Sequence, residues 1–273
     1  DIVAAQGDAA TLGSGLTPLH LTYRHYPVDD PKVAGAYGEW KDYNAYSDFI
    51  SSEGAPVFYA RVDHVSVPLD KEGTGQAVVD FTPEPLTQDV SFAFHIEKTA
   101  GVVVDSLTAE ISGVPSTMEL TTGLILAQKT YKLLFRPAYA ALPSAADSTS
   151  TEALRCEAAV NIPGIVRSHT EDMVTGPGIL QIAIYTHYDY EEEGTQRKAA
   201  KVFHAGINLY HTFKECKSLQ WDEEAGGYRQ ASRSITVEIG TPLEIDKDGI
   251  LNSGSTSTGL DQWIPGETFE IEV

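Results

Sequence analysis

Basic residues, cysteines and long apolar runs are all scarce in this 273-residue sequence. Lys and Arg together number 19 against 39 Asp and Glu, which gives a formal net charge of −20. Nucleic acid and anionic membrane surfaces repel a protein of this charge, so the composition argues against both as partners. The apolar runs also fall short of the ~20 residues that a membrane-spanning helix requires.

Only two cysteines are present, Cys156 and Cys216, and their separation is not a metal-ligand spacing. We expect two buried free thiols, with a disulfide as the alternative if the fold brings the two Cα atoms within about 6 Å. The motifs of nucleophilic hydrolases, phosphate-binding loops, dinucleotide-binding domains and zinc proteases are absent from the sequence. We therefore predict no catalytic residue, no metal site and no cofactor.

The sequence does contain hydrophobicity with a period of two residues. Val90, Phe92, Phe94 and Ile96 alternate along one face of a single segment, and the flanks of such segments carry Gly, Pro, Asp or Ser, which is typical of β-strands. Many strands and few helices predict an all-β chain built from antiparallel β-sandwiches. The other strand segments are Ala77–Phe81, Val104–Ile111, Tyr131–Phe135, Leu154–Ile162, Ile179–His187, Val202–Leu209, Ile235–Ile239 and Phe269–Val273.

The strand segments form two blocks, which predicts two domains at residues 1–126 and 127–273. Pro137–Thr151 has no periodicity and predicts a long surface loop, whereas Asp189–Thr195 predicts an acidic hairpin tip. The best helical candidate is Trp40–Ile50. Because the chain begins with Asp1 rather than Met, we expect it to be processed or trimmed, with its localisation signal upstream.

Aromatic residues are the other feature of note, with 13 Tyr and 3 Trp. Flat rings that stand in solvent can stack on sugars, whereas most aromatics in β-sandwiches bridge core and surface. The candidates for glycan stacking are Trp40, Tyr43, Tyr188 and Trp221.

One stretch resembles a known family. Val102–Gly123 reads VVVDSLTAEISGVPSTMELTTG, and it resembles the fimbrillin-like (type V pilus-associated) surface proteins of Bacteroidales, which are pilus subunits and pilus-associated lipoproteins. AVVDFTPEPLTQDVSFAFHIE before it and YKLLFRP after it are similar to neighbouring strands of that family. Towards the C-terminus, GPGILQIAIYTHY, KVFHAGINL, SITVEIGTPLEI and GLDQWIPGETFEIEV resemble the family's final strands.

This resemblance implies two tandem transthyretin-like sandwiches, no catalysis, export to the outer cell surface, and assembly with other pilus subunits or with itself by β-strand exchange. The residues that a donor strand would use are Phe269, Ile271 and Val273; the alternative is that residues 268–273 complete the chain's own sandwich. The family also implies proteolytic processing after an arginine, for which Arg24 is the candidate. DIVAAQGDAAT resembles a strand from the middle of the family's first domain, which implies that opening strands and a lipidated cysteine lie upstream.

Three functions are compatible with these features of the sequence. The first is a non-enzymatic fimbrial subunit or pilus-associated adhesin. The second is a surface glycan-binding module with an exposed Tyr/Trp platform. The third is a β-sandwich hydrolase, which would need two carboxylates converging in a cleft.

Overall fold

The protein is described here from a computed structural model, which covers residues 2–6, 10–12, 20–23, 25–26, 49–51, 56–62, 78–142, 151–166, 178–251 and 263–271. Over these ranges the chain is all-β, as predicted, apart from one short helix.

The strands are β1 Ile2–Gln6, β2 Ala10–Leu12, β3 His20–Tyr23, β4 His25–Tyr26, β5 Phe49–Ser51, β6 Phe58–Val62, β7 Glu84–Pro85, β8 Gln88–Thr99, β9 Val102–Glu119, β10 Leu124–Phe135, β11 Ala138–Ala141, β12 Thr151–Ile162, β13 Ile179–Glu192, β14 Thr195–Asn208, β15 Leu219–Asp222, β16 Gly227–Gln230, β17 Ser234–Glu238, β18 Leu243–Ile245 and β19 Ile264–Ile271. The helix, α1, is Tyr210–Glu215.

These strands form three sheets. The largest has the order β15-β16-β10-β9-β13-β14-β19. In addition, β3 pairs with β9 and with β2, and β5 pairs with β10 and with β4. A five-stranded sheet has the order β11-β12-β8-β17, and β18 also pairs with β8. A three-stranded sheet is formed by β1, β6 and β7.

The alternation predicted for β8 is confirmed. Val90, Phe92, Phe94 and Ile96 are buried in the main hydrophobic core. Successive side chains of a strand point to opposite faces, so this spacing lines one face of β8 with apolar groups.

That face packs against the large sheet. The ring of Phe92 stacks on Phe135 of β10, with centroids 5.3 Å apart and an interplanar angle of 16°. Phe94 meets Trp263 at 5.7 Å in an edge-to-face arrangement, and the Trp263 indole N–H donates to the Thr241 carbonyl at 3.0 Å. The large and the five-stranded sheets therefore form the two layers of a sandwich around one core.

Several sequence expectations differ from the structure. Ala138–Ala141, expected in a loop, forms β11 because it pairs antiparallel with β12. Val78–Phe81 forms no strand, and Phe49 and Ile50, expected at the end of a helix, lie in β5. The sheets are also not purely antiparallel, because β5 pairs parallel with β10, and β17 and β18 pair parallel with β8.

The predicted domain boundary between residues 126 and 127 falls inside β10. Strands from both sides of that position, β9 and β13, pair with each other in the large sheet.

An ion pair is buried within the large sheet. The Lys132 Nζ and Glu110 Oε1 atoms are 3.1 Å apart, and the two side chains are only 4% and 5% exposed. Lys132 Nζ also lies 5.4 Å from the centroid of the Phe49 ring. Burial raises the pKa of Glu110 and lowers the pKa of Lys132, while their mutual attraction acts in the opposite direction on both. Each charge therefore depends on the other to remain in this position.

We predict that Glu110→Gln destabilises the protein by about 3–5 kcal/mol, because it leaves the Lys132 ammonium buried without a counter-charge. Replacing both residues, as in Glu110→Leu/Lys132→Met, should leave the free energy of unfolding within about 1 kcal/mol of the wild type, or raise it, because no charge then stays buried. Urea unfolding monitored by circular dichroism measures both changes.

The matched control is Glu157→Gln, which breaks the exposed pair that Glu157 makes with Arg155 at 2.6 Å. Solvent screens that pair, so no measurable change is expected. The role assigned to the buried pair is wrong if Glu110→Gln is as well tolerated as Glu157→Gln.

Candidate functional site

The hairpin of β15 and β16 lies at one edge of the large sheet and carries the predicted aromatic Trp221. Its register places Trp221 opposite Tyr228 and Gln220 opposite Arg229. Directly opposed residues in an antiparallel pair share a face, so the two aromatic rings lie on the same side of the hairpin. Tyr228 also pairs with Ile125 of β10, which joins the hairpin to the rest of the sheet.

The base of the hairpin is fixed by buried polar contacts. Ser218 Oγ donates to Gln88 Oε1 at 2.6 Å, and Gln88 Nε2 donates to the Ser218 carbonyl at 3.0 Å. The Ile165 backbone N–H donates to Ser218 Oγ at 2.9 Å. Leu219 packs so closely on Gly164 that a Cβ there would lie 2.7 Å from the leucine side chain. These contacts fix the base of the hairpin against the core.

Asp222 organises the tip of the hairpin. Its Oδ1 atom accepts hydrogen bonds from the backbone N–H groups of Ala225 at 3.0 Å and Glu224 at 3.1 Å, and Arg229 Nε donates to Oδ2 at 2.7 Å. Arg229 Nη1 also donates to the Thr122 carbonyl at 2.8 Å. The hydrogen bonds from the Ala225 backbone and from Arg229 lower the pKa of Asp222. The carboxylate and the guanidinium are thus held in one arrangement.

The Trp221 side chain projects from this hairpin, with 47% of its surface exposed. Its ring meets Tyr228 edge to face, with centroids 5.0 Å apart and an angle of 78°. Beside it lies a cleft of about 480 Å³. The cleft is lined by Gln220, Trp221, Asp222, Glu223, Glu224, Arg229, Gln230 and Ala231. By the same register, Gln220, Asp222 and Arg229 lie on the opposite side of the hairpin from the Trp221 and Tyr228 rings.

Tyr188, the other described stacking candidate, lies elsewhere. It is half-buried on β13, with the Tyr190 ring at 6.2 Å and Lys201 Nζ at 5.7 Å from its own ring centroid. Three strands separate β13 from β15 in the sheet order. The structure therefore does not bring Tyr188 and Trp221 into a single platform.

The acidic hairpin tip predicted at Asp189–Thr195 is confirmed. β13 ends at Glu192 and β14 begins at Thr195, so Glu193 and Gly194 form a two-residue connection. Their φ angles are 52° and 76°, the pair of positive values that a type I′ hairpin turn requires.

Two of the three predicted strand-exchange residues, Phe269 and Ile271, lie in β19, which pairs antiparallel with β14 of the same chain. Phe269 lies opposite Val202, and Ile271 lies opposite Ala200. Among the described residues β14 is the neighbour on one side of β19, and none pairs with the other side. Within the part of the chain that the structure describes, β19 is therefore an edge strand of the chain's own large sheet.

Four predicted site residues lie outside the described residues: the processing candidate Arg24, the stacking candidates Trp40 and Tyr43, and the strand-exchange candidate Val273.

Sequence reasoning missed Tyr228, Arg229 and Gln220. A usable signal was present, because Trp221-Asp222 and Tyr228 flank an Ala-Gly-Gly turn sequence that is typical of a hairpin connection. The ion pair between Asp222 and Arg229 has no such signal, since sequence spacing does not single out one acid among 39.

The two cysteines are free, as expected. Cys156 is fully buried opposite Phe94, and burial raises the pKa of its thiol to about 12. Cys216 is partly buried, and burial together with the charge of Glu215 raises its pKa as well. Within the described ranges, no three His, Cys, Asp or Glu side chains are grouped so as to hold a metal ion.

We predict that Cys156 resists a thiol-specific disulfide reagent in the native protein at pH 8, because a thiol with a pKa near 12 is almost wholly protonated and this one is also shielded. Cys216 should react slowly. In urea both thiols should react at once, which gives two thiols per chain. If no thiol reacts even after unfolding in urea, the two cysteines are instead joined by a disulfide.

In the part of the chain that the structure describes, no helix has the length and apolar character needed to cross a membrane. No family model matches the chain, and no curated protein matches it. Among solved structures, it is similar to a candidate adhesin from Bacteroides ovatus ATCC 8483, at 10% identity and a TM-score of 0.42, over 90% of this chain and 74% of that one. It is also similar to a candidate adhesin from Bacteroides thetaiotaomicron VPI-5482, at 10% identity and a TM-score of 0.39, over 91% of this chain and 71% of that one.

Proposed function

We propose that this chain is a non-enzymatic, surface-exposed adhesin-like protein, and more specifically a fimbrial subunit or pilus-associated adhesin that assembles by β-strand exchange. Its partners would be other pilus subunits or further copies of itself. The sequence resemblance to fimbrillin-like proteins, centred on Val102–Gly123, suggests this function. In the same proposal the chain forms two transthyretin-like sandwiches in tandem and is processed at Arg24.

The observation that carries the proposal is the position of β19. An edge strand is bound to its sheet by main-chain hydrogen bonds on one side, so its loss breaks a single hydrogen-bonded ladder. The vacated edge of β14 would then present unpaired N–H and C=O groups, which an identical strand from another chain could satisfy in the same register. Exchange would therefore replace one set of contacts with an equivalent set.

The neighbouring strand supports such an exchange. Along the part of β14 that pairs with β19, Val202, Phe203 and Ala205 are buried, and the adjoining Ile207 is buried as well. Removal of β19 would leave backbone groups of β14 unpaired and uncover part of these apolar side chains, and both changes cost free energy in water. The edge of β14 is therefore more stable when a strand occupies it, either the chain's own strand or one supplied by a partner.

We predict that a chain truncated before Ile264 binds a synthetic peptide of residues 264–273. The peptide should restore the pairing with β14, and fluorescence anisotropy of a labelled peptide measures the binding. Phe269→Asp/Ile271→Asp in the peptide should abolish binding, because two carboxylates would replace the side chains that the alternation places on the apolar face of the strand.

The matched control peptide is Glu270→Gln, which alters the alternate position and should bind nearly as well as the original. A folded truncated chain that ignores the peptide contradicts strand exchange. If the truncated chain does not fold, the intact chain is compared before and after limited trypsin digestion. Concentration-dependent oligomers after digestion support exchange, and a monomer at every concentration contradicts it.

A second candidate function, surface glycan binding, is favoured by one specific observation. Trp221 is the large aromatic that the described residues leave most exposed, and it stands beside a polar cleft. Large exposed apolar groups next to a cavity commonly mark a ligand site. A glycosidase acting at this cleft is the competing idea, and we expect no turnover of chromogenic glycosides.

A further inference from the structure

We propose that β11 is a self-association strand, on which two copies of this chain pair antiparallel about a twofold axis at Ala140. The pairing joins the five-stranded sheets of the two copies into one continuous sheet. It is independent of strand exchange at β19, because β19 belongs to the other layer of the sandwich. The partner is thus a second copy of this chain.

β11 ends the order of the five-stranded sheet, and its four residues are all exposed. It pairs with β12 on one side, and no strand among the described residues pairs with its other side. Tyr139 in this strand is 38% exposed, and Leu142 directly after it is 36% exposed. The strand therefore presents a free row of backbone groups to solvent.

The edge of β11 lacks the side chains that usually prevent pairing between sheet edges. Among the described strands, β15 and β17 also end a sheet order, and they carry Asp222 and Glu238. The sequence of β19, at the remaining end, contains one proline and two glutamates. β11 reads Ala-Tyr-Ala-Ala, with no charge and no proline. Because charges and proline are what protect natural edges, a second strand meets the least opposition at β11.

The pairing of β11 with β12 determines which backbone groups remain free. The Leu142 N–H donates to the Ala153 carbonyl at 2.8 Å, and Ala140 occupies the equivalent alternating position along the strand. In an antiparallel pair, the residues between such positions direct their N–H and C=O groups away from the partner strand. The free groups are therefore those of Tyr139 and Ala141. Across a twofold axis at Ala140, these two residues of each copy can form a reciprocal set of main-chain hydrogen bonds.

The side chains of this segment are complementary to themselves in that register. Ala140 faces its own copy as a non-hydrogen-bonded pair, in which the Cα atoms lie about 4.5 Å apart and small side chains fit best. Tyr139 faces Ala141 of the partner subunit, and Ala138 faces Leu142 of the partner subunit. Each large side chain is thus opposed by an alanine.

The edge is also held in place and close to neutral. The Tyr139 hydroxyl donates to the Val104 carbonyl at 2.9 Å, which ties β11 to the large sheet. Opposite Ala140, β12 carries Arg155, and its Nε atom lies 2.6 Å from Glu157 Oε1, so these two charges compensate each other. A formal charge of −20 makes copies of the chain repel each other over most of their surface. An uncharged edge is therefore a favourable place for two copies to meet.

The test is disulfide trapping in the intact chain. Ala140→Cys in a Cys216→Ser background places two thiols across the axis, at a Cα separation that a disulfide accepts. The remaining Cys156 is buried. The matched control is Ala225→Cys in the same background, which puts an exposed thiol at the tip of the β15–β16 hairpin. We expect Ala140→Cys to form linked dimers roughly tenfold faster or more, because pairing raises the effective concentration of its thiol.

Reversible pairing is measured without a cross-link. A contact limited to residues 138–142 of each copy is smaller than the roughly 1,000 Å² of a stable interface, so sedimentation velocity over a concentration series should show a weak dimer. Ala140→Lys should remove this dimer, because two ammonium groups would face each other across the axis. Ala225→Lys adds the same charge elsewhere and should dimerise like the wild type. Urea unfolding of Ala140→Lys should match the wild type, because Ala140 is exposed in the single chain.

The outcomes decide between β11 and other surfaces. Equal rates of cross-linking for Ala140→Cys and Ala225→Cys, together with a monomer at every concentration, overturn the proposal. Dimers that persist unchanged in Ala140→Lys also overturn it, since they must form through another surface such as β19. Loss of the dimer in Ala140→Lys but not in Ala225→Lys, with fast trapping of Ala140→Cys, supports pairing through β11.

Discussion

β9 is buried on both faces over Leu107–Ser116, and this constraint determines much of what surrounds it. A strand in that position needs apolar packing on one face and satisfied polar groups on the other. Ile111 and Val114 join the core. On the polar side, Glu110 is paired with Lys132, and Ser112 Oγ accepts a hydrogen bond from the Ile179 backbone at 3.0 Å. The other strands of the large sheet are arranged on both sides of β9. The two ends of this sheet are β15 and β19, and the contacts that the two proposed functions require are made there.

The two ends differ in what they offer. At the β15 end, a short hairpin is fixed by buried hydrogen bonds at its base and by Asp222 at its tip, so it presents a rigid surface with an exposed indole. At the β19 end, a strand is held by main-chain pairing with β14, and this is the pairing that the proposed strand exchange would replace. The two proposed functions are compatible in one subunit, because β16, β10, β9, β13 and β14 lie between β15 and β19 in the sheet, so release of β19 breaks no pairing of the hairpin.

Most of the long strands could be predicted from the sequence, because the hydrophobic alternation of each strand lies within its own segment, as in Val90–Ile96 and Ile179–His187. The failures have a common physical cause. β11 reads Ala-Tyr-Ala-Ala, with no alternation, and it is held by pairing with β12 and by the Tyr139 hydroxyl, which donates to the Val104 carbonyl at 2.9 Å. Lys132 occupies a polar position in the alternating pattern of β10, yet it is buried beside Phe49 and Glu110, which are distant in the sequence. At the candidate site, Trp221 was identifiable as an aromatic, but its ion-paired neighbours depend on a fold that local spacing does not encode.

The central claim is that β14 can accept the same strand from its own chain or from another. Val202 and Phe269 are opposed across this pairing, so a Val202→Cys/Phe269→Cys variant in a Cys216→Ser background tests it directly. After oxidation, non-reducing electrophoresis distinguishes a link within one chain from a link between two. The account predicts a link within the chain for the isolated protein and links between chains once the protein has assembled on the cell surface. Links that remain within single chains in the assembled material would contradict it.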